Sequence, residues 1–322
     1  MQDDVILEVR NLKKYFKTNS GIVHAVDDCS FTINKGRTLG VVGESGCGKS
    51  TTGRCILRLI EPTSGSIRFK GQEITTMNRR QMLKVRKDMQ IIFQDPYYSL
   101  NPRNTVYQSI VAPIKQNNLM PGATRAQIEE RVLELMSTVG LAERMINSYP
   151  HELDGGRRQR IGIARALAME PEFIVCDEPV SALDVSIQAQ ILNLLQELQE
   201  KRNLTYMFIT HDLSVVNYFS DDIVVMYLGQ IVEKAPAREL FDNPRHPYTR
   251  ALLSAALEPV AGANKKRIQL KGELSSPLDP GDECRFAKRC THHCPECNCG
   301  TPKLVEVSPD HFVACHLVKQ LT

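Results

Sequence analysis

The chain has 322 residues and a formal net charge of +3, set by 40 basic and 37 acidic side chains. That length allows two domains at about 100–200 residues each, and a core large enough to fold without covalent staples. Hydrophobic residues make up 42% and charged residues 24%, the balance of a soluble globular protein, and so small a positive excess does not argue for a nucleic-acid partner.

The first residues, MQDDVILEVRNLKKYF, have no basic start followed by an apolar stretch, so no signal peptide is read there. No apolar run approaches the ~18 residues of a membrane span, and the chain is not expected to cross a bilayer by itself. A cytosolic location is the expectation, and it argues against a disulfide framework. Residues 5–9 (VILEV) and 39–42 (LGVV) read as strands. The second runs directly into Gly43-Glu44-Ser45-Gly46-Cys47-Gly48-Lys49-Ser50, which has the spacing G-x-x-x-x-G-K-[ST]. Residues 50–60, with Thr51 second, read as a helix.

Strand, glycine-rich loop and helix together make a phosphate cradle. Glycines let the backbone wrap so that consecutive N–H groups face the phosphates, and the helix N-terminus adds partial positive charge. In such a loop Lys49 reaches the β- and γ-phosphates, and the Ser50 hydroxyl is a ligand for Mg²⁺. Cys47 is expected to supply backbone only.

The stretch from about 96 to 170 is helical in pattern (Ile128, Val132, Leu135, Met136, Val139) and reads as an insert between strands. Residues 173–177 (FIVCD) form an apolar strand that ends in Asp177, with Glu178 next. A strand-terminal Asp can hold Mg²⁺, and the adjacent Glu can polarise a water for attack on a γ-phosphate. Ile187, Ile191, Leu194, Leu195 and Leu198 place one apolar stripe along a helix over 186–200. Strands follow at 205–210, ending at His211, and at 223–226. The alternation predicts an α/β fold with a mainly parallel sheet. Residues 258–283 carry Pro259, Gly262, Gly272, Pro277, Pro280 and Gly281 and read as a linker or loop-rich segment before the cysteine-rich remainder.

With these motifs in place the chain resembles the ATPase subunits of ABC transporters over residues 5 to about 250. Gln94 in IIFQDP is similar to the Q-loop, Leu153-Asp154-Gly155-Gly156-Arg157 stands where the signature stands, Ser181-Ala182-Leu183-Asp184 is similar to the D-loop, and His211 matches the switch histidine. The segments VVGESGCGKSTTGR, FQDPYYSLNPR, DEPVSALDVSIQAQILNLL, HDLSVV and NPRHPYTRALLSA resemble the dipeptide and oligopeptide importers, and RRQRIGIARAL resembles the second of their two ATPase subunits.

The resemblance implies a P-loop NTPase with a RecA-like core, an antiparallel β subdomain and a helical subdomain (about 96–170), together spanning residues 1–258, with a C-terminal extension over 259–322. It implies ATP hydrolysis with Mg²⁺ in a heterodimer with a paralogous ATPase. That pair docks on two transmembrane permease subunits at the cytoplasmic face, served by an extracytoplasmic peptide-binding protein. Residues 43–51 would hold ATP. Gln94 would contact Mg²⁺ and sense the γ-phosphate, Asp177 would ligate the metal through water, Glu178 would be the general base and His211 would contact the γ-phosphate. Phe16 is the expected adenine-stacking aromatic, with Tyr15 as runner-up. Importers of nickel or another small solute share these motifs, and a non-transport regulatory ATPase is a further alternative.

The signature departs from the family's Leu-Ser-Gly-Gly-Gln. In the family the serine donates to the γ-phosphate held by the other subunit. Asp154 is an acceptor only when ionised. Two like charges 4 Å apart cost about 4 kcal/mol at an effective dielectric of about 20, roughly a thousandfold in an equilibrium. Arg157 would offset part of that. The expectation is one active site and one impaired site, the latter built from Asp154, Gly155 and Gly156.

Ten cysteines divide unequally: Cys29, Cys47, Cys55 and Cys176 are scattered, and six lie between Cys284 and Cys315, with His292, His293, His311 and His316 nearby. In a reducing compartment that density reads as metal binding. The importers' tail pattern maps onto Cys284, Cys290, Cys297 and Cys315, which implies a [4Fe–4S] cluster, with Zn²⁺ as the alternative. Its expected role is to staple a tail too poor in apolar residues to fold alone.

Overall fold

A computed structural model describes residues 5–255, 268–270 and 276–318. Pro259, Gly262 and Gly272 of the expected linker lie outside them. The described residues group into two compact units, one from residues up to 77 and from 208 on, the other from 78–207.

The first unit begins with an antiparallel sheet of order β2-β1-β4-β5. Strand β1 (Val5–Thr18) pairs with β2 (Gly21–Asn34), and beyond β3 and α1 with β4 (Ser64–Phe69), which carries the short β5 (Gln72–Glu73). Alternation sets the register: Leu7 stands opposite Ile33 and Val9 opposite Phe31, and all four are buried. Strand β3 (Thr38–Val42) is buried at every position, which explains its unbroken apolar sequence. Helix α1 (Lys49–Ile56) follows the loop at its end.

The second unit opens with helix α2 (Arg79–Asp88), capped by Asn78, and strand β6 (Met89–Ile92). Then come α3 (Pro96–Ser99), α4 (Val106–Gln116), α5 (Arg125–Thr138) and α6 (Gly155–Leu167). Thr105 and Thr124 begin α4 and α5 with capping boxes completed by Gln108 and Gln127. Strand β7 (Phe173–Asp177) pairs in parallel with β6, Val175 beside Ile91. Helix α7 (Val185–Arg202) buries Ile191, Leu195 and Leu198 of the expected stripe. Strand β8 (Thr205–Ile209) is divided: residues 205–207 belong to this unit and 208–209 to the first.

In the first unit the chain continues with α8 (Leu213–Phe219) and with β9 (Asp222–Tyr227), which lies parallel to β3 with Val224 beside Val41. Strand β10 (Gln230–Pro236) turns back antiparallel on β9. Helices α9 (Ala237–Asp242) and α10 (Pro247–Ala255) follow. After the linker, residues 276–283 run beside β2, where the His24 N–H donates to the Pro277 carbonyl (2.9 Å). Strands β11 (Val305–Ser308) and β12 (His311–Val313) then extend the sheet, β12 pairing antiparallel with β10. Val42, Val225, Tyr227, Leu240, Tyr248 and Phe286 share one core, so the far end of the chain packs on the strand that leads to the phosphate loop. No helix of the described residues is long and apolar enough to cross a membrane.

His246, just before α10, is buried, and its Nδ1 accepts from the Tyr248 N–H at 3.1 Å. Burial lowers its pKa from 6.5 to about 4, against the opposing pull of Glu233. The unfolded chain binds this proton near 6.5 and the folded chain only near 4, so protons favour unfolding inside that window. Stability is full above it and falls as the pH drops through it, by on the order of 3 kcal/mol from this group. Urea unfolding at pH 7 and at pH 4.5 checks this: His246→Gln should lose less stability between the two conditions than the parent chain does.

Candidate functional site: a phosphate loop and a carboxylate strand end

In the first unit, residues 43–50 turn tightly between β3 and α1. Gly48 has φ 104°, a left-handed conformation, and a Cβ there would lie 2.0 Å from the Ala25 carbonyl oxygen, so only glycine fits. Lys49 is 4% exposed, and its ammonium donates to the carbonyls of Gly43 (2.7 Å) and Glu44 (3.0 Å). The loop therefore curls around its own cation. Cys47 is buried beneath it, and burial raises its thiol pKa, so it remains an uncharged spacer. Helix α1 has no acidic residue in its first turn, which leaves the positive end of its dipole unopposed. Ser50 and Thr51 stand in that turn.

Glu44, the one acid among residues 43–50, is tied from two sides. Its N–H donates to the Tyr248 hydroxyl (2.9 Å), and its carboxylate receives both arms of the Arg289 guanidinium (2.7 and 3.1 Å). No sequence motif links position 44 with 248 or 289; the pairing arises because Phe286 packs on Tyr227 and Tyr248 (ring centroids 5.2 and 5.5 Å) and brings Arg289 alongside.

The two aromatic candidates in β1 differ in freedom. Tyr15 is stacked on His24 (3.9 Å), and its hydroxyl donates to Asp27; Arg285 bonds the same carboxylate. Phe16 is 37% exposed, with the Lys14 ammonium 4.8 Å from its ring centroid. His211 is exposed after β8, and Asp212 beside it caps α8.

In the second unit, Asp177 ends β7 and is 2% exposed. Glu178 follows at φ 48°, a left-handed conformation that costs a non-glycine residue on the order of 1 kcal/mol and recurs where function dictates the geometry. Its carboxylate accepts from the Gln94 amide nitrogen at 2.8 Å. Two residues singled out separately in the sequence thus meet directly.

Asp154 is the N-cap of α6. It accepts from the Arg157 N–H at 2.8 Å, and its other oxygen lies 3.1 Å from the Arg157 guanidinium. Gly155 and Gly156 begin that helix; a Cβ on Gly156 would sit 2.5 Å from Ile187, so α6 starts in close contact with α7. The carboxylate at this position therefore has a local reason to be there, namely helix capping.

The cysteine tail departs from expectation. Cys284, Cys290, Cys297 and Cys315 are neighbours: burial first, and then Cys297, Cys315 and Cys290, push the Cys284 thiol up to about 11. Yet among the described residues no group of three or more His, Cys, Asp or Glu side chains is placed to hold a metal ion. The Cys297 sulfur sits 3.3 Å from that of Cys294, which the expected ligand set left spare. His311 is fully buried in β12 and bonds Glu233 (2.7 Å), while His293 and His316 bond Asn298 and the Gly300 carbonyl. A [4Fe–4S] or Zn²⁺ site at these four cysteines is thus not supported. The tail is fixed instead by Phe286 in the core, by Arg285 on Asp27 and the Leu228 carbonyl, and by β12 on β10.

Known proteins resemble the chain along nearly its whole length. The ABC transporter family matches residues 26–181, and the oligopeptide/dipeptide transporter C-terminal region matches residues 232–297. The oligopeptide transport ATP-binding protein AppF of Bacillus subtilis is 52% identical, with 98% of each chain covered. OppF of the same organism is 51% identical over 96% of each, and a putative peptide import ATP-binding protein of Brucella ovis is 48% identical over 98% of each. Among solved structures, the dimeric post-hydrolysis state of the ATP-binding cassette MJ0796, bound to ADP and Pi, is 29% identical with a TM-score of 0.67, covering 72% of this chain and 99% of that one. The Clostridium perfringens cbiO1 structure has a TM-score of 0.65 at 29% identity, covering 74% of this chain and 92% of that one. The chain belongs to the ABC transporter ATPases that carry the oligopeptide/dipeptide transporter C-terminal region.

Proposed function

We propose that this ATPase powers the uptake of di- and oligopeptides across the cytoplasmic membrane as one of two paralogous ATPases seated on two permease subunits, with an extracytoplasmic binding protein delivering the cargo. One observation carries the reading: a phosphate loop closed around a buried lysine stands on the same chain as the C-terminal region of oligopeptide/dipeptide transporters, and peptide-transport relatives match nearly end to end. Location at the cytoplasmic face follows from those membrane partners. Segment 95–103, where Tyr97 is 52% exposed, is the proposed contact with a permease.

Each residue's role follows from its chemistry. The loop N–H groups of residues 43–51 and Lys49 bind the β- and γ-phosphates, and Phe16 stacks on adenine, its ring being the more accessible of the two candidates. Ser50 in the first unit, and Gln94 and Asp177 in the second, each offer an oxygen donor that suits a hard cation; Mg²⁺ would supply neutralisation of phosphate charge. Glu178 accepts a proton from the attacking water, and the hydrogen bond from Gln94 orients its carboxylate (2.8 Å). His211 donates to the γ-phosphate oxygens.

The two ATP sites of the pair are proposed to be unequal. Asp154 with Gly155 and Gly156 faces the nucleotide bound by the paralogue and offers it a carboxylate where the family has a hydroxyl donor. The Arg157 ion pair, with both side chains about half exposed, reduces the repulsion without supplying the missing donor. Turnover then rests on this chain's own loop and Glu178.

Two measurements on the purified, assembled importer test these assignments. Lys49→Ala should abolish peptide uptake and weaken MgATP binding to this subunit by more than about tenfold, the loss of one charge-assisted contact. Glu178→Gln should cut ATPase turnover by about 10²-fold or more, the scale of a general base, while the equivalent change in the paralogue costs far less. Equal losses from the two carboxamide variants would refute the asymmetry.

A further inference from the structure

Within the first unit, Arg289 of the C-terminal extension reaches the phosphate loop. Arg289 is 8% exposed, and its guanidinium holds the Glu44 carboxylate with two nearly parallel bonds, at 2.7 and 3.1 Å. Such a fork-on-carboxylate pair fixes direction as well as charge. The bond to Glu44 also holds the guanidinium even further above its usual high pKa. Glu44 is the second residue of the loop, and its carbonyl is one of the two that receive the Lys49 ammonium. Its N–H is fixed by Tyr248. The backbone of Glu44, its side chain and the phosphate-reaching lysine are therefore three parts of one bonded arrangement, closed from outside by Arg289.

The charge balance gives the arrangement a consequence for ligand binding. An unpaired carboxylate in a loop that receives a polyphosphate repels it and is free to compete for Lys49. Pairing with Arg289 offsets that charge and occupies both carboxylate oxygens. Arg285, four residues earlier, also anchors the tail, but on Asp27 and the Leu228 carbonyl and not on Glu44.

We infer that Arg289 is a positioning residue of the nucleotide site: the C-terminal extension completes the phosphate loop by neutralising and orienting Glu44. The inference rests on the assignment of residues 43–51 as the ATP-binding loop.

Equilibrium titration of the full-length chain with MgATP, alongside thermal melting, tests it. Arg289→Gln should raise the Kd for MgATP about tenfold, the scale of one charge-assisted pair. Arg289→Lys keeps the charge but loses the fork, and should raise Kd only about two- to threefold. Adding Glu44→Gln to Arg289→Gln should recover most of the lost affinity, which a merely structural role for Arg289 would not do. Arg285→Gln loosens the tail without touching Glu44, and should lower the melting temperature while Kd stays within about twofold. Should Arg289→Gln not fold, the Arg289→Lys step and the Arg285→Gln contrast still decide. Unchanged binding in a folded Arg289→Gln chain, no recovery in the double variant, or an equal loss in Arg285→Gln would overturn the inference. If the parent chain itself fails to bind MgATP, the assignment of the loop fails, and this inference with it; binding by the parent and by Arg289→Gln alike defeats the inference alone.

Discussion

A buried ammonium must be surrounded by lone pairs, and the constraint that Lys49 imposes organises the nucleotide-facing part of the molecule. With 4% of its surface exposed, it bonds the carbonyls of Gly43 and Glu44, so the chain has to leave β3, circle the lysine and enter α1 within eight residues. Gly48 is forced by the left-handed turn against Ala25, and Cys47 is buried beneath the loop with its thiol pKa raised by that burial. The strand that launches the turn is buried at all five positions, and it is locked in parallel register to β9. Rigidity in the sheet becomes precision in the loop. The ammonium closes the loop on its own carbonyls, so the loop is assembled around a buried positive charge.

The carboxylate side obeys a different rule. Asp177 is buried at the end of a strand, whereas Glu178 is held in an unfavourable backbone region and accepts a hydrogen bond from the Gln94 amide. A residue held that way has a defined direction and little freedom to relax. Gln94 follows β6, and Glu178 follows β7, its parallel neighbour; both side chains therefore emerge at the same end of paired strands, where open α/β sheets carry their chemistry.

Much of this was legible in the residues. The G-x-x-x-x-G-K-S spacing, the apolar strand ending in Asp177-Glu178 and the stripe on α7 all depend on local sequence, and each lies where the pattern placed it. The long hairpin β1–β2 was only partly visible, because polar residues and register shifts near Leu12 interrupt its alternation. The capping role of Asp154 was hidden behind its departure from the family signature. The contacts of Glu44 with Tyr248 and Arg289 span more than 200 positions and follow no periodicity, so only the folded chain brings them together. The cysteine cluster is a related case. Spacing along a chain counts thiols but does not aim them: among the described residues no three His, Cys, Asp or Glu side chains are placed to hold a metal ion, and Cys297 of the expected set lies against Cys294, outside it.

Strand β10 would be the last strand of its sheet were it not for the final fifth of the chain. Its outer row of backbone donors and acceptors is taken by β12, Glu233 opposite Val313 and Lys234 opposite Phe312, and β11 in turn covers β12. An uncovered β10, apolar at Ile231, Val232 and Ala235, would offer an adhesive border to any passing chain. The tail is thus also a hem. It moves the frayed border of the fabric away from the hydrophobic weave and finishes it with a short strip in which half-exposed Val305 and Glu306 face outward.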